Sequence, residues 1–328
     1  MTPRRHARIT VFLLATLALA PLTAAAPPAG KVPRVGLLAS STCSPKDPMF
    51  QALVAGLRAH GYEDGKTVTV VGCEAERRPE RYLTLAANLV RAKVDVIVAT
   101  TWDGVTAARE VTSTIPIVMG VVADPVALGF VESLERPGGN VTGVASPLGP
   151  LLRQQIELLK EALPSVTRLA VLINPANPTH SRWTEVTLPA QRMGVVLQPV
   201  GVRVPPDLDA AIGNVSQTAD ALLVLEDPLF FAQRQRIGAL VTAAKLPAMY
   251  TVPEQIDAGG LIAYGPGLRL IAQRTAAFVD RILRGARPAD LAVELPRKLD
   301  LAVNLRTAKL LGFSIPRSVL ERADQVVE

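Results

Sequence analysis

The sequence predicts an α/β protein of two lobes, each a doubly wound parallel sheet with helices on both faces. Short apolar runs of strand length, such as VDVIVA at 94–99, alternate with segments whose apolar residues recur at helical spacing. The same alternation starts again after Pro147. A chain of 328 residues is also long enough for two domains that each bury a sizeable core. These three observations together predict the fold class.

The first lobe is predicted to contain five strands with helices between them. Continuous apolar runs rich in β-branched residues indicate strands that are buried on both faces. These runs lie at 34–39, 67–71, 94–99, 115–119 and 141–145. Helical spacing follows Asp47-Pro48, where a capping acid precedes a proline at the first helical position, and it recurs after Pro79 and from Gly104. A short helix is expected between the fourth and fifth strands.

The second lobe repeats this pattern. Strands are predicted at 168–173, 195–202, 221–225, 247–250, 261–264 and 299–303. Helices are predicted at 151–163, 181–193, 207–215, 229–244, 268–283 and 305–311, although Pro189 interrupts the second of them. Segments at 147–150, 265–267 and 288–295 are expected to cross between the lobes. The first lobe would then comprise 31–146 with 266–289, and the second 147–265 with 290–328.

Residues 1–26 have the composition of a secretory signal peptide. A basic head with three arginines precedes an apolar run at 9–20 and small residues at 23–26. The apolar run is too short for a convincing membrane span, and a retained anchor is the alternative. No cysteine directly follows the run, so lipid attachment there has no acceptor. We therefore expect a periplasmic protein with a cleaved leader and no lipid anchor.

Charge and cysteine content describe the exported chain further. Without the three leader arginines, 32 basic residues face 29 acidic ones, so the net charge is 32 − 29 = +3. This charge is too small to indicate nucleic-acid binding. The two cysteines, Cys43 and Cys73, follow the first two predicted strands. An even count in an exported protein suggests a Cys43–Cys73 disulfide, and two unpaired thiols are the alternative.

Motifs for catalysis, metal binding and nucleotide binding are missing from the sequence. The mature chain contains two histidines, His60 and His180, which lie far apart in the sequence. Neither G-x-S-x-G nor H-E-x-x-H occurs, and no G-x-G-x-x-G follows the first strand. The loop GYEDGKT at 61–67 is one residue too short for a phosphate-binding loop and precedes a strand instead of a helix. We expect no catalytic residue, metal or cofactor.

Several longer segments resemble a known family. They include VPRVG at 32–36, HGYEDGK at 60–66, VDVIVA at 94–99, STIPIV at 113–118, LERPGGNVTG at 134–143 and NPANP at 174–178. The chain is similar from about residue 31 to its end to the substrate-binding proteins of ABC transporters that have a type I periplasmic binding fold. The resemblance implies two lobes joined by three crossings, with a ligand cleft between them that closes by a hinge motion.

The resemblance also implies a ligand and partners. The ligand would be an amino acid or a related small metabolite, and the permease and its ATPase would be separate chains. We expect the binding protein to be a monomer. Many family members carry Gly-Thr-Pro after the third strand, where this chain has TTWD at 100–103. Because that loop is expected to face the cleft, ligand preference is expected to differ here.

The chemistry of a zwitterionic ligand selects candidate residues near strand ends. Hydroxyl groups could bind its carboxylate, an acid its ammonium group, and an aromatic ring its side chain. The candidates are Ser40, Ser41, Thr100 and Thr101 for the carboxylate, Asp103, Asp124 and Asp227 for the ammonium group, Trp102 and Tyr250 for stacking, and Asn174 beside them.

Each candidate also has a purely structural interpretation. Asp103 could cap a helix, and Asp124-Pro125, Asp227-Pro228 and Asn174-Pro175 could only start turns. Trp102 and Tyr250 could belong to packed regions, and Ser40 and Ser41 to a solvated loop.

The function we expect is capture of a small organic solute for an ABC-type importer. One alternative is a ligand-sensing binding protein that docks a membrane receptor. A less favoured alternative is a two-lobed enzyme, because the sequence lacks both a nucleophile–base pair and a cofactor motif.

Overall fold

The computed structural model describes residues 31–39, 48–75, 78–146 and 148–328. The predicted signal peptide, Ser40, Ser41, Cys43 and Asp47 lie outside these residues, as does the side chain of Cys73. The leader, the disulfide and the serine assignments therefore remain predictions. Within the described ranges, no helix combines the length and the apolar character that a membrane crossing requires.

The first lobe is built on a five-stranded sheet, as predicted. All its pairings are parallel, and the strand order is β2-β1-β3-β4-β5. The strands are β1 (Arg34–Ala39), β2 (Thr69–Glu74), β3 (Val96–Ala99), β4 (Ile117–Ala123) and β5 (Val141–Ser146). Between β4 and β5 the described chain forms turns in place of the expected short helix. That segment contains two prolines and three glycines, which disfavour helix.

The second lobe contains a seven-stranded sheet of order β12-β11-β10-β9-β8-β6-β7. Its strands are β6 (Arg168–Ile173), β7 (Val196–Gly201), β8 (Ala221–Val224), β9 (Ala248–Tyr250), β10 (Ile262–Gly265), β11 (Asp300–Asn304) and β12 (Gln325–Val327). The sheet is parallel except that β11 runs antiparallel to β10. Strand β12 was not predicted, because a three-residue edge strand carries too short a pattern to recognise.

Eleven α-helices lie in the described part of the chain. They are α1 (Pro48–Ala59), α2 (Tyr82–Arg91), α3 (Trp102–Val111), α4 (Leu148–Ala162), α5 (Thr187–Arg192), α6 (Asp207–Val215), α7 (Pro228–Ala232), α8 (Arg234–Ala243), α9 (Leu268–Leu283), α10 (Leu305–Leu311) and α11 (Arg317–Leu320). The helix predicted at 181–193 is divided into a 3-10 helix, Pro178–Val186, and α5. Pro189 cannot donate a backbone N–H, which keeps the α-helical part short.

Helix α9 follows β10 of the second sheet but packs in the first lobe. Its Phe278 and Val279 are buried in the same cluster as Leu53 of α1 and Val35 of β1. After α9 the chain stays beside β5, where Thr142 Oγ1 donates to the carbonyl of Leu291 (2.6 Å). It then returns to the second sheet as β11. The chain thus passes between the sheets three times: before α4, after β10 and before β11.

Two helical glycines provide a test of this packing. A Cβ atom on Gly238 of α8 would lie 1.4 Å from the carbonyl oxygen of Ala258, whereas one on the exposed Gly213 of α6 would meet nothing within 4 Å. We expect Gly238→Ala to lower the free energy of unfolding by about 3 kcal/mol or more, because the backbone of α8 or of Ala258 would have to move to make room for the methyl group. Gly213→Ala is expected to raise it by about 0.5–1 kcal/mol. Urea unfolding measures both, and equal effects would contradict the close approach of α8 to Ala258.

Candidate functional site

A cavity lies between the two lobes, beyond the carboxyl ends of β3, β4 and β8. The first lobe contributes Met49, Thr100, Thr101, Trp102, Val122 and Ala123. The polar lining from the second lobe consists of Asn177, Thr179, His180, Glu226, Asp227 and Gln255. Apolar side chains, including Leu148, Phe231 and Val252, complete the wall. The position agrees with the general rule that ligands of parallel sheets bind at the carboxyl ends of strands.

A second cavity adjoins the first. Both are lined by Trp102, Asp227 and Pro228, so these residues lie at the junction of the two spaces. Asp103 and Asn174 line the second cavity only. The structure thus brings six sequence-predicted residues to the cleft: Thr100, Thr101, Trp102, Asp103, Asn174 and Asp227.

The first-lobe wall is organised by the start of α3. Thr101 is the N-cap residue, and its Oγ1 accepts a hydrogen bond from the Gly104 N–H (3.2 Å) and donates to the Tyr82 hydroxyl (3.1 Å). The first amides of a helix have no carbonyl partner within the helix, and the helix dipole is positive at this end. The cavity therefore meets hydroxyl groups and a helix N-terminus, which together suit a carboxylate.

Asp103 is not the cap of α3, because Thr101 takes that position. Asp103 lies in the first helical turn, and its Oδ1 accepts from the Gly104 N–H (3.0 Å). Burial raises the pKa of Asp103, and the negative charge of Asp227 on the other lobe adds to this effect. The negative charge of Asp227 thus disfavours the ionised form of Asp103 across the cleft.

Asp227 organises the second-lobe wall. It is the N-cap of α7, where Oδ1 accepts from the Leu229 N–H (2.9 Å). The side-chain amide of Asn177 donates to Oδ2 (2.9 Å), and that of Asn174 donates to Oδ1 (3.2 Å). Asp227 is only 3% exposed. It therefore acts as a helix cap while its carboxylate also holds two asparagines beside the cavity.

His180 is held in one neutral tautomer by its two neighbours. Its Nδ1 accepts from the Asn174 N–H (2.8 Å), and Nε2 lies 2.9 Å from the carbonyl oxygen of Glu226. Since Nδ1 is the acceptor, Nε2 carries the proton and donates to that carbonyl. Burial lowers the pKa of His180, which favours the same neutral form. The sequence identified His180 only as an improbable metal ligand and missed its place in the cavity.

Glu226 is a second site residue that sequence reasoning missed. It stands after the apolar run of β8, as Thr100 stands after that of β3, and this position was the available signal. The side chain of Glu226 is half-buried, and its carboxylate forms no hydrogen bond or ion pair with any residue that the structure describes. Burial, aided by the charge of Asp227, raises the pKa of Glu226 to about 7.

Two predicted site residues lie elsewhere. Asp124 does not line the main cavity; its carboxylate forms an ion pair with Arg182, which belongs to the 3-10 helix of the other lobe. Its backbone has φ of 46°, a left-handed conformation that Asp tolerates better than most residues. Tyr250 is fully buried in the core of the second lobe. Among the described residues, no group of three His, Cys, Asp or Glu side chains is placed to hold a metal ion.

Tyr250 can be tested by removing its hydroxyl, which is buried without a hydrogen-bond partner. Tyr250→Phe is expected to leave the free energy of unfolding unchanged or to raise it by about 1 kcal/mol, because an unsatisfied polar group is removed. Tyr82→Phe is the control, since the Tyr82 hydroxyl accepts from Thr101, and it is expected to cost about 1 kcal/mol. A larger loss for Tyr250→Phe in urea unfolding would show that its hydroxyl does have a partner.

Comparison with known proteins identifies the family to which the chain is similar. A family model described as "ABC transporter substrate binding protein" matches residues 44–327. A tyrosine-binding protein of Clostridioides difficile (strain R20291) is 25% identical over 269 residues, which span 81% of this chain and 77% of that protein. Both comparisons cover most of the chain.

Solved structures have the same fold. A conserved domain protein from Vibrio cholerae is similar with a TM-score of 0.84 and 30% identity, over 90% of this chain and 100% of that one. An ABC domain from Streptococcus pneumoniae in complex with L-Trp also has a TM-score of 0.84, at 24% identity over 90% of this chain and 100% of that one. The two-lobed parallel-sheet prediction is thus confirmed, and the chain belongs to the ABC transporter substrate-binding protein family.

Proposed function

We propose that the protein is the extracytoplasmic solute-binding component of an ABC-type importer and that it captures an amino acid between its lobes. The observation that carries this proposal is the interlobe cavity, which has a helix N-terminus with hydroxyls on one side and carboxylates on the other. An amino acid carries the two complementary charges. The permease and its ATPase would be separate chains, and the exported binding protein would be a monomer without a lipid anchor.

The carboxylate of the ligand would bind at the first lobe. Thr100 and Thr101 line the cavity there, at the N-terminus of α3. No lysine or arginine lines this cavity among the described residues, and the Thr101 hydroxyl already donates to Tyr82. The Thr100 hydroxyl and backbone N–H groups are therefore the available donors on this wall. Neutral donors and a helix dipole bind a carboxylate without the high desolvation cost of a buried cation.

The side chain of the ligand would lie among apolar and aromatic groups. Trp102 of the first lobe and Phe231 of the second both line the cavity. Aromatic rings prefer offset-stacked or edge-to-face contacts. Two rings on opposite walls could each make such a contact with an aromatic ring of the ligand. Support for an aromatic amino acid comes from the relative described as tyrosine-binding and the related domain that was crystallised with L-Trp.

Binding would close the lobes by a hinge motion. The binding groups belong to both lobes, so a ligand in the cavity contacts both at once, and closure would complete its contacts. The Asp124–Arg182 ion pair spans the same interface. The 3-10 helix that contains Arg182, Pro178–Val186, also contains Thr179 and His180 of the cavity wall. The ion pair would therefore stabilise the same closed arrangement as the ligand.

A panel of amino acids tests the proposed function. L-Tyr, L-Trp and L-Phe are expected to raise the melting temperature, because a ligand at a hundredfold excess over its Kd stabilises the fold by about 2.7 kcal/mol. Titration calorimetry then gives the affinities, and recovery of unchanged ligand tests against an enzyme. If none of the common amino acids shifted the melting temperature or gave binding heat, the proposal would be wrong.

Asp124→Asn tests the contribution of the interlobe ion pair. The change keeps the shape of the side chain and removes its charge. We expect Kd to increase about two- to fivefold, since a partly exposed ion pair contributes about 0.5–1 kcal/mol to the closed state. Calorimetry with the best amino acid measures the effect.

The control for Asp124→Asn is Glu185→Gln. Glu185 pairs with Arg182 within one helical segment of the second lobe, so this change does not break a contact between lobes. It is expected to alter Kd less than Asp124→Asn does. Equal effects of the two variants would argue against a role in closure, and a loss of about a hundredfold for Asp124→Asn would place Asp124 at the ligand.

A further inference from the structure

We propose that Glu226 is the residue that selects the ammonium group of the ligand, and that binding exchanges a proton on its carboxyl group for that ammonium group. This inference rests on the proposed function, since it concerns the same cavity. It assigns to one residue the role that the sequence distributed over Asp103, Asp124 and Asp227. Glu226 differs from these three acids in its free oxygen atoms and in the charges that surround it.

Asp227 has little capacity left for a ligand. Its two oxygens already accept from the Leu229 N–H and from the side-chain amides of Asn174 and Asn177. Replacing either asparagine bond by a ligand contact would leave a buried donor without a partner, which costs about 1–3 kcal/mol. Asp103 lines the adjoining cavity, and Asp124 is paired with Arg182. Three of the acids are therefore engaged or lie outside the main cavity.

Glu226 is different on each of these points. Glu226 lines the main cavity, and its carboxylate accepts no hydrogen bond from the residues that the structure describes. A half-buried carboxylate without a partner is partly desolvated and uncompensated, and a ligand cation would relieve this state. An ammonium group supplies three donors, and so it can satisfy the free oxygens of Glu226.

Among the described residues, none that lines the cavity around Glu226 is a competing cation. The titratable neighbours that face it are Asp227 and His180, both from the second lobe. His180 stays neutral, because protonation of Nδ1 would break its bond to the Asn174 N–H. The described lining of the cavity includes no lysine or arginine. The ligand itself would therefore supply the positive charge that balances Glu226.

A proton is displaced when the ammonium group binds. In the free protein at pH 6.5, burial and the charge of Asp227 keep most Glu226 carboxyls protonated, since the pKa is raised to about 7. A bound ammonium group favours the carboxylate, so the carboxyl proton leaves to solvent while the ligand keeps its own three protons. Charge balances overall: a neutral carboxyl group and a zwitterion of zero net charge give a complex with one more negative charge and one proton in solution.

Calorimetry with L-Trp and 3-indolepropionate tests the inference, because the second probe lacks only the ammonium group. The wild-type protein is expected to bind L-Trp more tightly than 3-indolepropionate. Glu226→Gln is expected to weaken L-Trp binding by about thirtyfold or more, the effect of truncating a buried charge pair. The same variant is expected to bind 3-indolepropionate as well as the wild type or better. Glu157→Gln, on the exposed face of α4, is the control for loss of one charge.

Proton release provides a readout that needs no variant. Titrations of the wild type with L-Trp at pH 6.5 in phosphate and in Bis-Tris differ in heat in proportion to the number of protons released. We expect release of more than half a proton, about the protonated fraction given by the raised pKa. Affinity is expected to fall as pH decreases from 8 to 5.5, by up to about tenfold per unit below the pKa. Glu226→Asp, which keeps a carboxyl group, is expected to retain part of the proton release, whereas Glu226→Gln is expected to lose it.

The outcomes separate this inference from the proposed function. Binding of L-Trp without proton release, or with equal affinity in Glu226→Gln and wild type, would overturn the role of Glu226 and leave amino-acid binding intact. Equal affinity of the wild type for L-Trp and 3-indolepropionate would also overturn it. If no amino acid bound the wild type at all, the proposed function would fail first, and the inference with it.

Discussion

The buried carboxylate of Asp227 is the interaction on which the second-lobe half of the site depends. It caps α7 and receives two asparagine amides, so it fixes the loop after β6 to the loop after β8. Asn174 then positions His180 through its backbone N–H. A single negative charge thus determines the positions of a helix, two loops and an imidazole ring. The two asparagine bonds are buried, and such bonds favour a wall that is already ordered before a ligand arrives.

The sequence was most informative where a residue pattern is compatible with only one type of secondary structure. Apolar strand runs predicted the sheets, because strands buried on both faces need apolar residues throughout. Residues directly after strands were the right place to look for the site, and Thr100, Trp102 and Asp227 do line the cavity. Edge elements were harder to predict. Strand β12 is short, and its pattern in the sequence is correspondingly weak.

The sequence could not separate a ligand residue from a structural one of the same type. Asp124 and Asp227 both precede proline after a buried strand, yet one pairs with Arg182 and the other lines the cavity. Arg182 is distant in the sequence, so nothing local to Asp124 reveals this partner. Glu226 was missed for a similar reason, since the adjacent Asp227 offered the same chemistry. Both acids line the cavity, and which of them keeps unpaired oxygen atoms there depends on backbone geometry that composition does not encode.

The packing of α9 has a consequence for the order in which the molecule can be assembled. The first lobe takes Phe278 and Val279 of this helix into the same buried cluster as Val35 and Leu53, although the whole strand series from β6 to β10 lies between them in the chain. During synthesis from the N-terminus, the first lobe therefore lacks part of its core until most of the second has been made. Neither lobe is a contiguous segment of chain, so a truncation after β5 would leave apolar surface of β1 and α1 uncovered. The folding of the two lobes is linked by chain connectivity, even though their sheets are separate.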